Sequence, residues 1–220
     1  MTPRAVMVFA AGLGTRMGEL TRDRPKPLIP VAGRPLIDHA LDLTAGLRVV
    51  VNVHYRADQM RDHLAGRPVR ITDETAQLLE TGGGLRAALP LLDADPVFTL
   101  NSDAVWRGPN PLHVLADHWQ GGMEALLLLL PRDRAIGHRG SGDFIAGPDG
   151  RLTRGPGLVY SGAQILQTGA LGAVPEAAFS LNRVWDAMIA RGTLFGVVYD
   201  GKWCDVGRPD SIALAEGLLR

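Results

Sequence analysis

At 220 residues, with 23 basic side chains balanced by 23 acidic ones, the chain can bury one sizeable core and carries no net field to attract nucleic acid or an anionic membrane. Its one cysteine, Cys204, excludes an internal disulfide framework and a multi-cysteine metal site, and its longest apolar run, Ala125 to Leu130, is far too short to cross a bilayer. With no long apolar segment of the secretory type at the N-terminus, the expectation is a cytoplasmic protein, monomer or homodimer, that partners neither nucleic acid nor membrane.

Ala5 to Ala11 is a continuous apolar run broken by Gly12 and Gly14, the pattern of a buried parallel strand entering a glycine loop. Pro25, Pro27 and Pro30 make Arg24 to Val31 extended or irregular, and Pro35 stands where a first helical turn accepts proline, opening a helix over Leu36 to Ala45. A buried strand follows at Leu47 to His54, a helix at Ala57 to Leu64 and a short strand at Val69 to Thr72. The cluster Thr81-Gly82-Gly83-Gly84 then opens a helix at Leu85 to Leu92. Val97 to Leu100 reads as a strand ending on Asn101-Ser102-Asp103, followed by a helix at Pro111 to Trp119 and a strand at Glu124 to Leu130.

About five strands with helices between them predict an α/β fold, a doubly wound, Rossmann-like mixed sheet. Pro131 to Gly157 breaks the pattern: it is rich in glycine, arginine and aspartate, and Pro148-Asp149-Gly150 signals a turn between short strands. It reads as a small antiparallel lobe. A strand at Leu158 to Leu166, a helix at Leu181 to Ala190, a strand at Leu194 to Tyr199 and a helix from Pro209 complete one domain over 1–220, with 1–130 as its first part and 131–220 as insert and C-terminal part.

The loop Ala10-Ala11-Gly12-Leu13-Gly14-Thr15-Arg16-Met17 follows a buried strand, so its amides can form an anion nest that phosphates approach closely past the glycines. The dinucleotide fingerprint fails, since Met17 holds its third glycine position, and no Gly-Lys-Ser/Thr makes a P-loop. Two prolines around Lys26 fix the backbone and lower the entropy cost of aiming its ammonium group. Asp103 ends a buried strand at the edge where open α/β sheets bind ligands, and a magnesium ion needs one or two carboxylates beside phosphate oxygens and water. Asp205, in Trp203-Cys204-Asp205-Val206-Gly207, is the second candidate; helix capping by Asp103 or pairing of Asp205 with Arg208 are the plainer alternatives.

The glycine loop followed by Pro25-Lys26-Pro27-Leu28 resembles the signature of the sugar-phosphate nucleotidyltransferases. Leu79-Glu80-Thr81-Gly82-Gly83-Gly84, Asn101-Ser102-Asp103, Tyr160-Ser161-Gly162 and the stretch around Asp205 extend the likeness over nearly the whole chain. Within the family, the Glu-Thr-Gly-Gly-Gly run, Gly142-Asp143-Phe144 and the lack of a C-terminal acyltransferase or repeat domain most resemble the short bacterial N-acetylmuramate α-1-phosphate uridylyltransferases.

The resemblance implies transfer of a uridylyl group from UTP to a sugar 1-phosphate, with Mg2+ shared by Asp103 and Asp205, Arg16 on the leaving pyrophosphate and Lys26 on the transferred phosphate. It places Glu74 at the base edge, with Asp73 and Gln77 as competitors, Gly83 against the nucleotide, and Asp143 and Gly162 over the acceptor. By their chemistry Arg139 and Arg154 are candidates to meet the acceptor's phosphate or, in a muramate, its lactyl carboxylate. Ser102 departs from the glycine usual before the first aspartate. The same motifs leave other sugar 1-phosphate nucleotidyltransferases (mannose/guanylyl, glucose/thymidylyl), a phosphocholine cytidylyltransferase and a non-catalytic nucleotide-sugar sensor as alternatives.

Overall fold

The computed structural model describes residues 2–220. In chain order the elements are β1 (Ala5–Phe9), the two-residue pair β2 (Pro30–Val31) and β3 (Arg34–Pro35), α1 (Leu36–Leu41), β4 (Arg48–Val53), α2 (Ala57–Leu64), β5 (Val69–Asp73) and α3 (Glu80–Leu92). Then come β6 (Val97–Asn101), β7 (Ala104–Arg107), α4 (Pro111–His118), β8 (Ala125–Leu130), β9 (Ala135–Ile136), β10 (Phe144–Ala146) and β11 (Leu152–Arg154). The chain closes with β12 (Val159–Leu166), α5 (Leu181–Arg191), β13 (Leu194–Val198), β14 (Lys202–Asp205) and α6 (Asp210–Leu219).

Seven strands form the central sheet in the order β13-β8-β12-β6-β1-β4-β5, parallel except for β12, which runs against both β6 and β8. Each apolar strand feeds both faces, because successive side chains alternate. Val6 and Val8 of β1 join Leu126, Leu128 and Leu130 of β8 in one core, with Ile37, Met60 and Leu112 from α1, α2 and α4. Met7, Leu127 and Leu129 point the other way, against Leu85 of α3 and Val184 and Met188 of α5. Helices therefore cover both faces, which is the doubly wound arrangement the alternating pattern predicts.

Three local differences matter for the site. The first helix is shorter than its apolar pattern, ending at Leu41 in a tighter 3-10 turn over Asp42–Thr44. The helix expected from Leu85 begins instead at Glu80, so all three glycines lie inside it. A separate three-stranded sheet, β7-β14-β9, stands off the end of the main one, and no hydrophobic period in those short segments announced it. The insert does form its antiparallel pair, β10 with β11, turning at Pro148-Asp149-Gly150 and anchored to β13 by Gly196 N donating to Gly150 O. Its first part goes elsewhere, as β9 pairing with β14.

Candidate active site

The glycine loop leaves β1 at the carboxyl edge of the sheet, where Ala10, Ala11 and Gly12 line a cavity of about 240 Å3 together with Lys26, Glu74 and Asp103. Nothing lies within 4 Å of where a Gly12 side chain would stand, so this face of the loop is open to a ligand. Gly14 does a different job. It takes φ 67°, and a Cβ there would meet the Lys26 Cβ at 2.9 Å, so the loop packs directly on the lysine stem. Leu13, Thr15 and Arg16 follow on the exposed side, outside the cavity wall.

Lys26 begins a 3-10 turn between Pro25 and Pro27 and is only 9% exposed. Clamped by that turn and by Gly14, its Nζ donates to Asp103 Oδ2 at 2.7 Å. The positioned lysine expected from the two prolines is present, and its partner in this state is the aspartate.

Sequence reasoning missed the residue that anchors the loop. Asn52, the lone polar side chain in the apolar run of β4, is 3% exposed; its Oδ1 accepts from Ala10 N at 2.7 Å and its Nδ2 donates to Glu74 Oε1 at 2.7 Å. An amide buried in such a run was the available signal, because it must find partners there. Glu74 is itself 2% exposed, and its second oxygen accepts from Leu79 N at 3.0 Å. Of the three candidates for the base edge only Glu74 reaches the cavity; Asp73 pairs with Arg61, and Gln77 is exposed. Both Glu74 oxygens are already bonded, so its visible work is bracing Asn52 and the start of α3.

Gly83, which the resemblance sets against the nucleotide, packs on the chain itself. It does not line the cavity: a Cβ there would stand 2.3 Å from Ala177 O, and one at Gly82 as close to the Phe179 ring. Phe179 O accepts from the amides of both glycines, at 2.8 and 3.1 Å. The close approach that glycine permits is used by the chain itself, which caps the first turn of α3. Thr81 and Glu80 are the cavity residues of this motif, Glu80 with a left-handed φ of 59° that costs a non-glycine residue about 1 kcal/mol or more.

The added sheet joins the two distant aspartates. Asp205 at the end of β14 registers with Ala104 of β7, and Val206 N donates to Asp103 O at 2.8 Å. Gly207 leaves room for the carboxylate, since a Cβ there would lie 2.9 Å from Asp205 Oδ2. Burial, and then the negative charge of Asp103, push the Asp205 carboxyl above the usual carboxylate range, against opposing pulls from Lys26, Arg16 and His138. Arg16 is thus near enough for its charge to be felt at Asp205. Two neighbouring carboxylates that feel each other's charge fit a hard divalent cation. No cluster of three or more metal-ligating side chains occurs among the described residues. Cys204 beside them is fully buried, its thiol pushed up to about 12 by burial and by the Asp205 charge, so it is no nucleophile.

Ser102, standing where glycine is usual, ties the two strand ends together through its hydroxyl, which donates to Phe9 O at 2.6 Å. Beyond it a second cavity of about 330 Å3 shares Phe9, Thr81 and Asn101 with the first and is closed by Asp143, Arg154, Tyr160 and Trp185. Asp143 lines it, one oxygen accepting from Tyr160 N at 2.9 Å. Gly162 does not; with φ 86° and a would-be Cβ 2.7 Å from the Asn101 side chain, it lies behind that asparagine and makes room for it. Arg154 faces this cavity, whereas Arg139 pairs with Asp210 elsewhere on the surface.

Comparison with known proteins places this architecture among the nucleotidyltransferases. Residues 6–141 match the MobA-like NTP transferase domain. An N-acetylmuramate alpha-1-phosphate uridylyltransferase of Caulobacter vibrioides is 39% identical over 99% of this chain and 97% of its own, and one of Neisseria meningitidis serogroup B 31% identical over 96% of each. The chain belongs to the MobA-like NTP transferase family. Among solved structures, HddC from Yersinia pseudotuberculosis superposes with a TM-score of 0.76 at 22% identity over 98% of this chain and 99% of that one. A putative glucose-1-phosphate thymidylyltransferase from Bacillus anthracis gives 0.78 at 16% identity, over 98% and 95%, so the likeness to both is one of fold.

Proposed function

We propose that this nucleotidyltransferase transfers a uridylyl group from UTP to N-acetylmuramate α-1-phosphate, releasing pyrophosphate, in cytoplasmic recycling of cell-wall sugar. In this reading residues 1–130 bind the nucleotide and 131–220 complete the sugar side of one domain, with Asp205 returning to the reaction centre. The observation that carries it is the Lys26–Asp103 pair, which lines a cavity sharing Phe9, Thr81 and Asn101 with a second one, and whose aspartate is tied to the Asp205 strand end by Val206 N donating to Asp103 O. The choice of base and sugar is supported by the two uridylyltransferase relatives, which match along the full chain.

The acceptor needs no general base, because a phosphomonoester with a second pKa of about 6 is largely ionised at neutral pH. Catalysis is then positioning and charge balance. The loop from Ala10 to Gly14 approaches the triphosphate, Arg16 meets the departing pyrophosphate, and Lys26 offsets charge at the transferred phosphate while holding Asp103. Magnesium, when bound by Asp103 and Asp205, supplies Lewis-acid neutralisation of the phosphate oxygens. Asn52 and Glu74 hold the loop at Ala10, which keeps the nucleotide in register with the acceptor.

The test is a matrix of the four common nucleoside triphosphates and thymidine triphosphate against several sugar 1-phosphates with magnesium, read by pyrophosphate release. Highest turnover is expected for UTP with N-acetylmuramate α-1-phosphate. A preference for GTP with mannose 1-phosphate, or thymidine triphosphate with glucose 1-phosphate, replaces the specificity but keeps the reaction. No turnover in any combination points to a nucleotide-sugar sensor.

A further inference from the structure

Two charged side chains line the second cavity, Asp143 and Arg154. Arg154, on β11, is 38% exposed at its side chain, but its guanidinium is fixed. Nε donates to Asp186 Oδ1 at 2.9 Å and Nη2 to Asn182 Oδ1 at 2.8 Å, both acceptors on α5. The group lies over the rings of Phe144 and Trp185, at 4.7 and 5.6 Å. That platform is rigid: Phe144 is fully buried, and Trp185 Nε1 donates to the buried Gln164 at 2.9 Å. Nη1 donates to no group among the described residues.

Given the transfer reading above, the geometry points to Arg154 as the residue that selects acceptors bearing a carboxylate on the sugar itself. A neutral sugar leaves an immobilised guanidinium without a purpose in this cavity. The acceptor's phosphate does not supply one, because the charges that serve it, Lys26 and Asp103, line the other cavity. A second anion on the sugar does, since a planar carboxylate takes the donors of a fixed guanidinium in a charge-assisted bond. Because packing has already ordered the side chain, little entropy is lost when the acid binds. The competing account is a staple joining β11 to α5 and nothing more.

The experiment compares the wild type with Arg154→Ala, and with Arg154→Gln as a variant that can still bond Asp186. Steady-state kinetics are measured with UTP on N-acetylmuramate α-1-phosphate and on N-acetylglucosamine α-1-phosphate, which lacks the lactyl carboxylate. Both variants are expected to raise KM for the acidic acceptor about 10- to 100-fold. Their kcat, their KM for UTP and any turnover of the neutral sugar should stay within about twofold, and Arg154→Lys should recover part of the loss. An unchanged acceptor KM overturns the assignment, as does a parallel loss in kcat, UTP binding and neutral-sugar turnover, which marks the staple. Wild-type turnover of neither sugar removes the transfer reading and takes this assignment with it.

Discussion

Lys26 and the two aspartates illustrate how a site sets stability against chemistry. Lys26 is nearly buried and is the cation in direct contact with Asp103. Lys26→Ala would leave two crowded carboxylates without their nearest counter-charge, so both turnover and stability should fall. Asp205 behaves in the opposite sense. Its carboxyl is raised above the unfolded value, so its contribution to stability is present below the unfolded pKa and is lost as pH rises through the folded one. Without magnesium, deprotonating this side chain therefore weighs against the fold. Asp205→Asn should raise the melting midpoint by about 2–4 °C, as a gain of about 1 kcal/mol does in a chain of this size, while turnover falls by orders of magnitude. Calorimetry beside a pyrophosphate-release assay checks both; near-normal rates in either variant would remove the proposed mechanism.

At the scale of elements, α3 is set by its glycines rather than by helix propensity. Gly82, Gly83 and Gly84 are poor helix formers, yet each sits where a Cβ would collide with Phe179, Ala177 or Glu74. Gly84 is the informative position, because its would-be Cβ lies 2.6 Å from Glu74 Oε1 and 3.1 Å from Asn52 Nδ2. Gly84→Ala should therefore push on the bracket that holds Ala10. The expected cost is about 1–3 kcal/mol in urea denaturation, with weaker UTP binding by titration. Unaltered UTP affinity in the folded variant would show that the bracket does not position the nucleotide loop.

At the scale of the whole molecule, a charged tie joins α1 to α2 beside the core they share. Asp38 of α1 accepts from His63 of α2 at 2.8 Å and pairs with Arg67 beyond it at 2.7 Å. Burial alone would raise the Asp38 carboxyl, but the bonds from His63 and Arg67 outweigh it and hold it below the usual range. A depressed carboxyl stabilises above its unfolded pKa of about 4, and that contribution is lost as pH falls through the folded value. Asp38→Asn should thus be less stable than the wild type at pH 7, with the two converging in acid. A constant gap from pH 7 down to pH 2 in paired denaturation curves would sink this account.

The alternating strands and helices, the glycine loop, the prolines about Lys26 and the strand-end aspartate were legible in sequence because each has a local cause: a hydrophobic period, a missing Cβ, a fixed φ, an edge. The sheet that sets Asp205 beside Asp103 was not, since β7, β9 and β14 are held by pairing with one another and carry no period of their own. Likewise, glycines at 83 and 162 read as ligand contacts, yet whether a missing side chain makes room for a substrate or for Ala177 and Asn101 depends on which distant segment arrives there. Local chemistry singled out Lys26, Asp103 and Asp205 as candidates. Their distances, the bracing of the loop by Asn52 and the placing of Arg154, not Arg139, at the second cavity came only with the tertiary structure, because each is a contact between residues far apart along the chain.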